Sequence, residues 1–189
     1  MGFEVSAWLV DARVNIELMF VLGIDPGLSR CGYGCVTRTE GAGDYRTIAA
    51  GVVTTPPSEP VPSRLAMLRS DLDELLDELK PDVMVIERIF FRSNARTAMS
   101  VGQASGVALL TAVEHGCRVA EYTAAEVKLA VTGYGSAPKE QVQAMVTRLL
   151  RLEEVPRPAD VADALALGIC HLGAASWEQE RAMMRGLPR

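Results

Sequence analysis

Four carboxylates stand where apolar segments of this chain end or begin: Asp25, Glu87, Asp160 and Asp163. Asp25 follows the strand-like run Val-Leu-Gly-Ile, and Glu87 follows Val-Met-Val-Ile. Asp160 and Asp163 are three residues apart, which places them on one face of a helix. Like charges that are brought together raise one another's pKa unless a cation lies between them. A cluster of these acids therefore predicts a divalent metal site, and two such ions suit phosphodiester hydrolysis.

Most of these acids also have an ordinary explanation when each is taken alone. Asp25 precedes Pro-Gly, which is typical of a β-turn, and the strand before Glu87 could simply emerge into water. Asp160 stands at a helix start, where the helix dipole favours negative charge. Asp163 is harder to explain in this way, because its neighbours are nearly all apolar and a buried charge needs a partner. The residues alone leave both interpretations open.

The segments that carry these acids follow an α/β pattern. The periodicity of apolar residues predicts strands at 20–26, 32–39, 45–54, 83–87 and 118–122, and helices at 63–79, 94–114, 124–131, 139–151 and 159–176. We expect the first three strands to form an antiparallel meander and the later strands to be parallel. The predicted fold is therefore a five-stranded mixed sheet flanked by helices.

Length and composition are those of one domain. The chain has 189 residues, of which 49% are hydrophobic, enough for a single core. We expect this domain at 19–176, between an N-terminal extension at 1–18 and a C-terminal tail at 177–189. Met19 stands directly before the first predicted strand and is a candidate natural start, and an ordinary N-terminal arm or helix at 1–18 is the alternative. The sequence contains no apolar run long enough to span a bilayer and no signal-like N-terminus. A cytoplasmic protein without a membrane partner is expected.

The cysteines are expected to be free thiols rather than zinc ligands. Cys31 and Cys35 are four residues apart in a predicted strand, but no second cysteine pair accompanies them and the two histidines are isolated. Burial in the core of a protein in a reducing compartment explains such residues.

Six motifs, taken in order, are similar to those of one known family. They occupy 22–27, 86–90, 102–108, 127–128, 133–137 and 159–166. The chain thereby resembles the bacterial RuvC family of Holliday junction resolvases, from about residue 19 to residue 171. The resemblance implies an RNase H-like fold, a homodimer, four-way junction DNA as the substrate, and the RuvA and RuvB branch-migration motor as a partner in DNA recombination and repair.

The resemblance also implies a catalytic role for the four acids. They would bind two Mg²⁺ or Mn²⁺ ions about 4 Å apart at one scissile phosphate, with Asp25 bridging both ions. The products would be paired symmetric nicks in opposed strands, with 5′-phosphate and 3′-hydroxyl ends. Two such nicks need two sites, which a symmetric dimer supplies.

Four further residues are candidates for DNA binding: Phe90, Arg92, Lys128 and Lys139. Lys128 and Lys139 match family positions that contact phosphates, although both are also ordinary exposed helix positions. Phe90 is assigned to stacking on an unpaired base, and core packing is its alternative. These residues matter because the net charge of −5, taken alone, argues against a nucleic-acid partner. For the helix at 94–114, the sequence does not separate a core role from a dimer interface.

Three rival functions are compatible with parts of this pattern. An ATPase of the sugar-kinase or actin type opens with a similar strand and hairpin, but it needs two copies of the fold, for which 189 residues are too few. An RNase H-like nuclease that acts on another structured nucleic acid would share the four acids. A junction-binding protein without catalysis would not need all four of them.

Overall fold

The computed structural model describes residues 19–39, 44–88 and 95–186. Five strands are present in these ranges: β1 (Val21–Asp25), β2 (Arg30–Arg38), β3 (Tyr45–Thr54), β4 (Val83–Glu87) and β5 (Arg118–Tyr122). The helices are α1 (Val61–Leu79), α2 (Ala95–Glu114), α3 (Ala124–Thr132), α4 (Lys139–Leu149) and α5 (Ala159–Gly186). The predicted N-terminal extension at 1–18 lies outside the described residues.

The strands form one mixed sheet in the order β3-β2-β1-β4-β5. β1 and β2 pair antiparallel, as do β2 and β3, whereas β1 pairs parallel with β4, and β4 pairs parallel with β5. This confirms the predicted five-stranded sheet with an antiparallel meander and parallel strands. β1 is the central strand, so its carboxyl end lies beside both β2 and β4.

Each face of the sheet has its own hydrophobic core, because side chains alternate along a strand. Leu22, Ile24, Met84 and Ile86 point to the face that packs against α1 and α2. Val21, Val83 and Val85 point to the opposite face, which α3, α4 and α5 cover. By the same alternation, Asp25 and Glu87 belong to the α5 face.

Helix α5 lies unusually close to β1 and β2, because the facing strand positions are glycines. A Cβ atom at Gly23 would collide with the carbonyl oxygen of Ala164, and one at Gly32 would collide with that of Asp160. At Gly34 a Cβ would lie 2.7 Å from a methyl carbon of Leu165. The first turns of α5 therefore rest on strand backbone rather than on side chains.

Two helix ends differ from the sequence prediction. Helix α1 begins at Val61 rather than at 63, and its N-cap residue is Pro60 rather than Ser63. The first turn can include Pro62, because a residue without an N–H group loses no hydrogen bond there. Helix α4 ends at Leu149 rather than at 151, since Arg151 adopts a φ of 52°, which is incompatible with continuing the helix.

Helix α5 is also longer than predicted. It was expected to end at 176, but it continues to Gly186, so most of the segment predicted as a tail is helical. The reason is that 177–185 contains neither glycine nor proline, whereas Gly186 and Pro188 supply an ordinary helix stop. The division into a domain and a tail stays a prediction.

The cysteines and the helices bear on two further expectations. All four cysteines are free and buried, as the prediction of core thiols required. Among the helices of the described ranges, none is both long and apolar enough to cross a membrane.

The glycine contacts predict a graded loss of stability. Gly23→Ala forces a methyl group against backbone that cannot move alone, so we expect its free energy of unfolding to fall by about 3 kcal/mol or more. Gly34→Ala meets mainly the Leu165 side chain, which can change rotamer, so about 1–3 kcal/mol is expected. Urea unfolding measures both, and equal losses would contradict the contact geometry.

Candidate active site

The parallel pairing of β1 and β4 brings two of the predicted acids together. Ile24 pairs with Ile86, so the next residues, Asp25 and Glu87, stand side by side at the carboxyl ends of adjacent strands. Both strands are completely buried up to this point. The two carboxylates therefore stand where the hydrophobic interior ends.

Helix α5 supplies the other two acids from above the sheet. Asp160 and Asp163 lie in its first turns, and the backbone of Asp160 rests on Gly32. Gly32 is the antiparallel partner of Asp25. The close packing of α5 on the strands thus carries its two acids to the end of β1.

Electrostatic coupling shows that the four acids share one site. Burial, followed by the negative charges of Asp163, Asp160 and Glu87, raises the pKa of Asp25 to about 7, against the opposing effect of Lys139. Burial and then Asp163 raise the pKa of Glu87, whereas Lys128 and Lys139 lower it. Asp25 is the acid whose pKa responds to all three others, so it is the electrostatic centre of the group.

Two basic residues neutralise part of this charge. Lys139 Nζ donates a hydrogen bond of 2.6 Å to Asp163 Oδ2, and Arg30 Nε lies 3.5 Å from Asp160 Oδ2. The bond to Asp163 is the main reason that the pKa of Lys139 is raised. Sequence reasoning missed Arg30. Its signal was the turn that joins β1 to β2, which returns the chain to the site five residues after Asp25.

The donor set fits hard divalent cations, although the carboxylates are not arranged as ready-made ligands. Carboxylate oxygens are the ligands that Mg²⁺ and Ca²⁺ prefer. Within the described ranges, no three histidine, cysteine or acidic side chains already converge on one point at ligand distances. Asp160 and Asp163 are each paired with a basic side chain, Arg30 and Lys139 respectively. A cation bound at these carboxylates would compete with both contacts.

The two predicted lysines both face the acids. Lys128, Lys139, Glu87 and Asp163 line one cavity of about 150 Å³, together with apolar residues of α3, α4 and α5. Helix α3 begins with a capping box in which Thr123 and Glu126 bond reciprocally, and this fixes its direction. Lys139 is the first residue of α4. The predicted DNA-binding residues Phe90 and Arg92 lie outside the described residues.

Comparisons with known proteins agree on one family. The family profile described as "Crossover junction endodeoxyribonuclease RuvC" matches residues 21–171. A protein of that name from Moorella thermoacetica is 49% identical over 168 residues, which is 89% of this chain and 99% of the relative. Another from Salinispora arenicola is 54% identical over 154 residues, covering 82% of this chain and 87% of the relative.

A solved structure has the same architecture. The structure described as T. thermophilus RuvC in complex with Holliday junction substrate superposes with a TM-score of 0.79 at 38% sequence identity. The alignment covers 85% of this chain and 96% of the other. The part of the chain that the family profile matches, 21–171, contains all four acids.

The raised pKa of Asp25 predicts how stability depends on pH without metal. Folding raises this pKa from 3.8 to about 7, so the folded state binds the proton more tightly. The resulting stabilisation is complete below pH 3.8 and is lost as pH rises through 7. Asp25→Asn carries no such charge. We expect this variant to be more stable than the parent at pH 8 and to lose that advantage at pH 4.

Urea unfolding in the presence of a chelator tests this expectation, with Asp77→Asn on α1 as the matched control. Asp77 is exposed and lies on the other side of the sheet. A stability difference between Asp25→Asn and the parent that is the same at both pH values would contradict the buried acid cluster.

Proposed function

The chain belongs to the RuvC family of crossover junction endodeoxyribonucleases, and we propose that it resolves Holliday junctions by paired symmetric nicks in opposed strands. Members of this family are metal-dependent nucleases. The observation that carries the proposal is the convergence of four acids from two strand ends and one helix. A site with this much uncompensated negative charge is suited to cations, and it lies at the protein surface where a DNA strand can reach it.

We assign metal binding and catalysis to Asp25, Glu87, Asp160 and Asp163, with two ions, Mg²⁺ or Mn²⁺, in each site. Such ions, when bound, supply an activated water and stabilise the departing 3′ oxygen, which gives 5′-phosphate and 3′-hydroxyl ends. Asp25 is the proposed bridging ligand, because its pKa responds to each of the other three acids.

The basic residues of the site bind the substrate in this proposal. Lys128 and Lys139 line the same cavity as Glu87 and Asp163, so they would lie beside a phosphate that is held at the acids. Phe90 and Arg92 follow Glu87 closely in the chain. We assign base stacking to Phe90 and a phosphate contact to Arg92, since both come directly after a strand that ends in the site.

A homodimer supplies the second site, and α2 offers a surface for it. One face of α2 is buried in the core through Ala104, Ala108 and Ala112. On the opposite face, a Cβ atom at Gly102 or Gly106 would meet nothing within 4 Å, and Leu110 and Val113 are exposed. Small residues allow two helices to approach closely, and exposed Leu and Val then become buried.

The remaining partners follow from the substrate. We propose that the RuvA and RuvB branch-migration motor presents the junction, as the family resemblance implies. We also propose that the protein works in the cytoplasm, where bacterial chromosomal DNA is found.

A junction assay tests the function. The purified protein is incubated with a synthetic four-way junction or a linear duplex of matched sequence, with Mg²⁺, with Mn²⁺ or with a chelator. We expect paired symmetric nicks in the junction, only when metal is present. Equal cleavage of the duplex, or of RNA, would favour a different nuclease of this fold. Binding without cleavage under all conditions would indicate a non-enzymatic junction-binding protein.

The role of Asp163 gives a sharper prediction. Asp163→Asn removes one ligand charge but keeps the shape, so we expect junction nicking to fall to background while junction affinity changes little. Nicking is measured by gel and affinity by fluorescence anisotropy in chelator. Asp77→Asn is again the control. Normal nicking by Asp163→Asn would remove this residue from the site.

The dimer surface is tested by charge insertion. Leu110→Glu places a charge on the outer face of α2, and we expect a monomer in sedimentation velocity and single, unpaired nicks in the junction assay. Leu129→Glu on α3 is the matched control, because the two leucines are exposed to similar extents, 53% and 56%. Dimers that survive in Leu110→Glu would place the interface elsewhere.

A further inference from the structure

A second concave surface, separate from the lysine-lined cavity, adjoins the acids at Asp160. This groove, of about 870 Å³, lies between the turn that joins β1 to β2, the start of α1 and the first turns of α2. Asp160 forms part of its wall. The groove is therefore continuous with the site, and a strand that passes the acids can extend into it.

Arg64 in the wall of the groove is an unusual residue. It is only 8% exposed, and it is the one charged side chain that is buried among the described residues. Its Nε donates a hydrogen bond of 2.9 Å to Thr55 Oγ1, and its Nη2 donates one of 2.6 Å to Ser29 Oγ. Neither partner is an anion, and Arg64 forms no ion pair with any carboxylate in the described part of the chain.

The surroundings of Arg64 hold its guanidinium in a fixed position. Thr55 Oγ1, which accepts from Arg64, itself donates to the carbonyl oxygen of Leu28 in the β1–β2 turn. Arg64 thus joins α1 to both β3 and the turn. Two of its five N–H groups are used in this way, and the others have no partner among the described residues. A buried positive charge without a counter-ion is costly, so its retention at a groove wall indicates an external anion.

Arg30 adds a second positive charge to the same groove. Its side chain is 61% exposed and lies beside Asp160, where the groove meets the acids. The wall of the groove also contains the apolar residues Leu28, Val61 and Val101. A surface that combines cations with apolar side chains suits a polynucleotide strand, which carries phosphates as well as sugars and bases.

We propose that this groove binds the cleaved DNA strand next to the scissile phosphate, with Arg64 and Arg30 as ligands of successive backbone phosphates. The inference rests on the proposed function, because the strand enters the groove from the acid site. The guanidinium of Arg64 is already held in place by its hydrogen bonds before DNA binds, whereas the exposed side chain of Arg30 can adjust to the position of a phosphate. The bidentate geometry of guanidinium groups suits phosphate oxygens.

The first test is the salt dependence of junction binding by the full chain in chelator. Each phosphate contact contributes about 0.7 (single strand) to 0.9 (duplex) to the slope of log K against log salt. We expect Arg30→Gln and Arg64→Gln each to reduce the slope by about this amount and to weaken binding several-fold. Arg64→Lys should keep most of the slope, since it keeps the charge. Arg118→Gln is the control, because Arg118 begins β5, at the end of the sheet opposite to the acids.

The second test locates the phosphates. A neutral methylphosphonate linkage is placed, one position at a time, in the cleaved strand on either side of the scissile phosphate. At one position, the neutral linkage should weaken binding by the parent protein but not by Arg64→Gln, which already lacks that contact. At a neighbouring position, it should weaken binding by the parent protein but not by Arg30→Gln. This pairing identifies which phosphate each arginine contacts, independently of any effect on folding.

Several outcomes would overturn the inference. Unchanged salt slopes in both Arg30→Gln and Arg64→Gln would do so, as would methylphosphonate effects that are identical in the parent and in both variants. If Arg64→Gln loses thermal stability but keeps the salt slope of the parent protein, Arg64 is a structural residue only. The salt slope of Arg30→Gln, a change at an exposed position, then shows whether the groove binds DNA. Failure of the proposed function is distinct, because the parent protein itself would then not nick the junction.

Discussion

The candidate active site depends on the direct contact between helix α5 and the backbones of β1 and β2. Three glycines in the strands remove the side chains that would hold the helix away. Without this contact, Asp160 and Asp163 would stand further from Asp25, and the four acids would not influence one another. The distance between acids is therefore set by backbone packing, which is less tolerant of change than side-chain packing. The two cores, on either face of the sheet, keep both layers in place.

The same closeness has an electrostatic cost, and the fold offsets only part of it. Burial and three neighbouring carboxylates raise the pKa of Asp25 to about 7, while Arg30 and Lys139 pair with the two helix acids. These ion pairs are partly exposed and contribute little to stability by themselves. They reduce the repulsion between the carboxylates without removing it, so the site still carries excess negative charge, which favours bound cations. In the proposed function, metal ions bind at this excess negative charge, and the basic residues bind DNA phosphates.

Much of this arrangement could be predicted from sequence, because it depends on local pattern. Alternating and continuous apolar runs predicted the five strands, and the position of Asp25 and Glu87 at strand ends followed directly. Contacts between distant segments could not be predicted in this way. Arg30 and Asp160 are far apart in the chain, and although the β1–β2 turn places Arg30 near Asp25, it does not indicate the pairing with Asp160. The burial of Arg64 depends equally on Ser29 and Thr55, which reach it through the tertiary fold. The predicted end of α5 was ten residues too early, although 177–185 contains neither glycine nor proline to end a helix.

Helix α2 has a consequence for the choice of substrate. Its first turns border the groove, and its outer face offers the proposed contact with a second copy. In the proposed dimer, this rigid element would link the strand path of each protomer to the symmetry axis and set the distance between the two catalytic centres. A DNA in which two strands arrive at that spacing could be cut twice in one encounter. The two strands of a linear duplex are held at the fixed spacing of the double helix, so a dimer with another spacing between its sites would favour a branched molecule before any base is read.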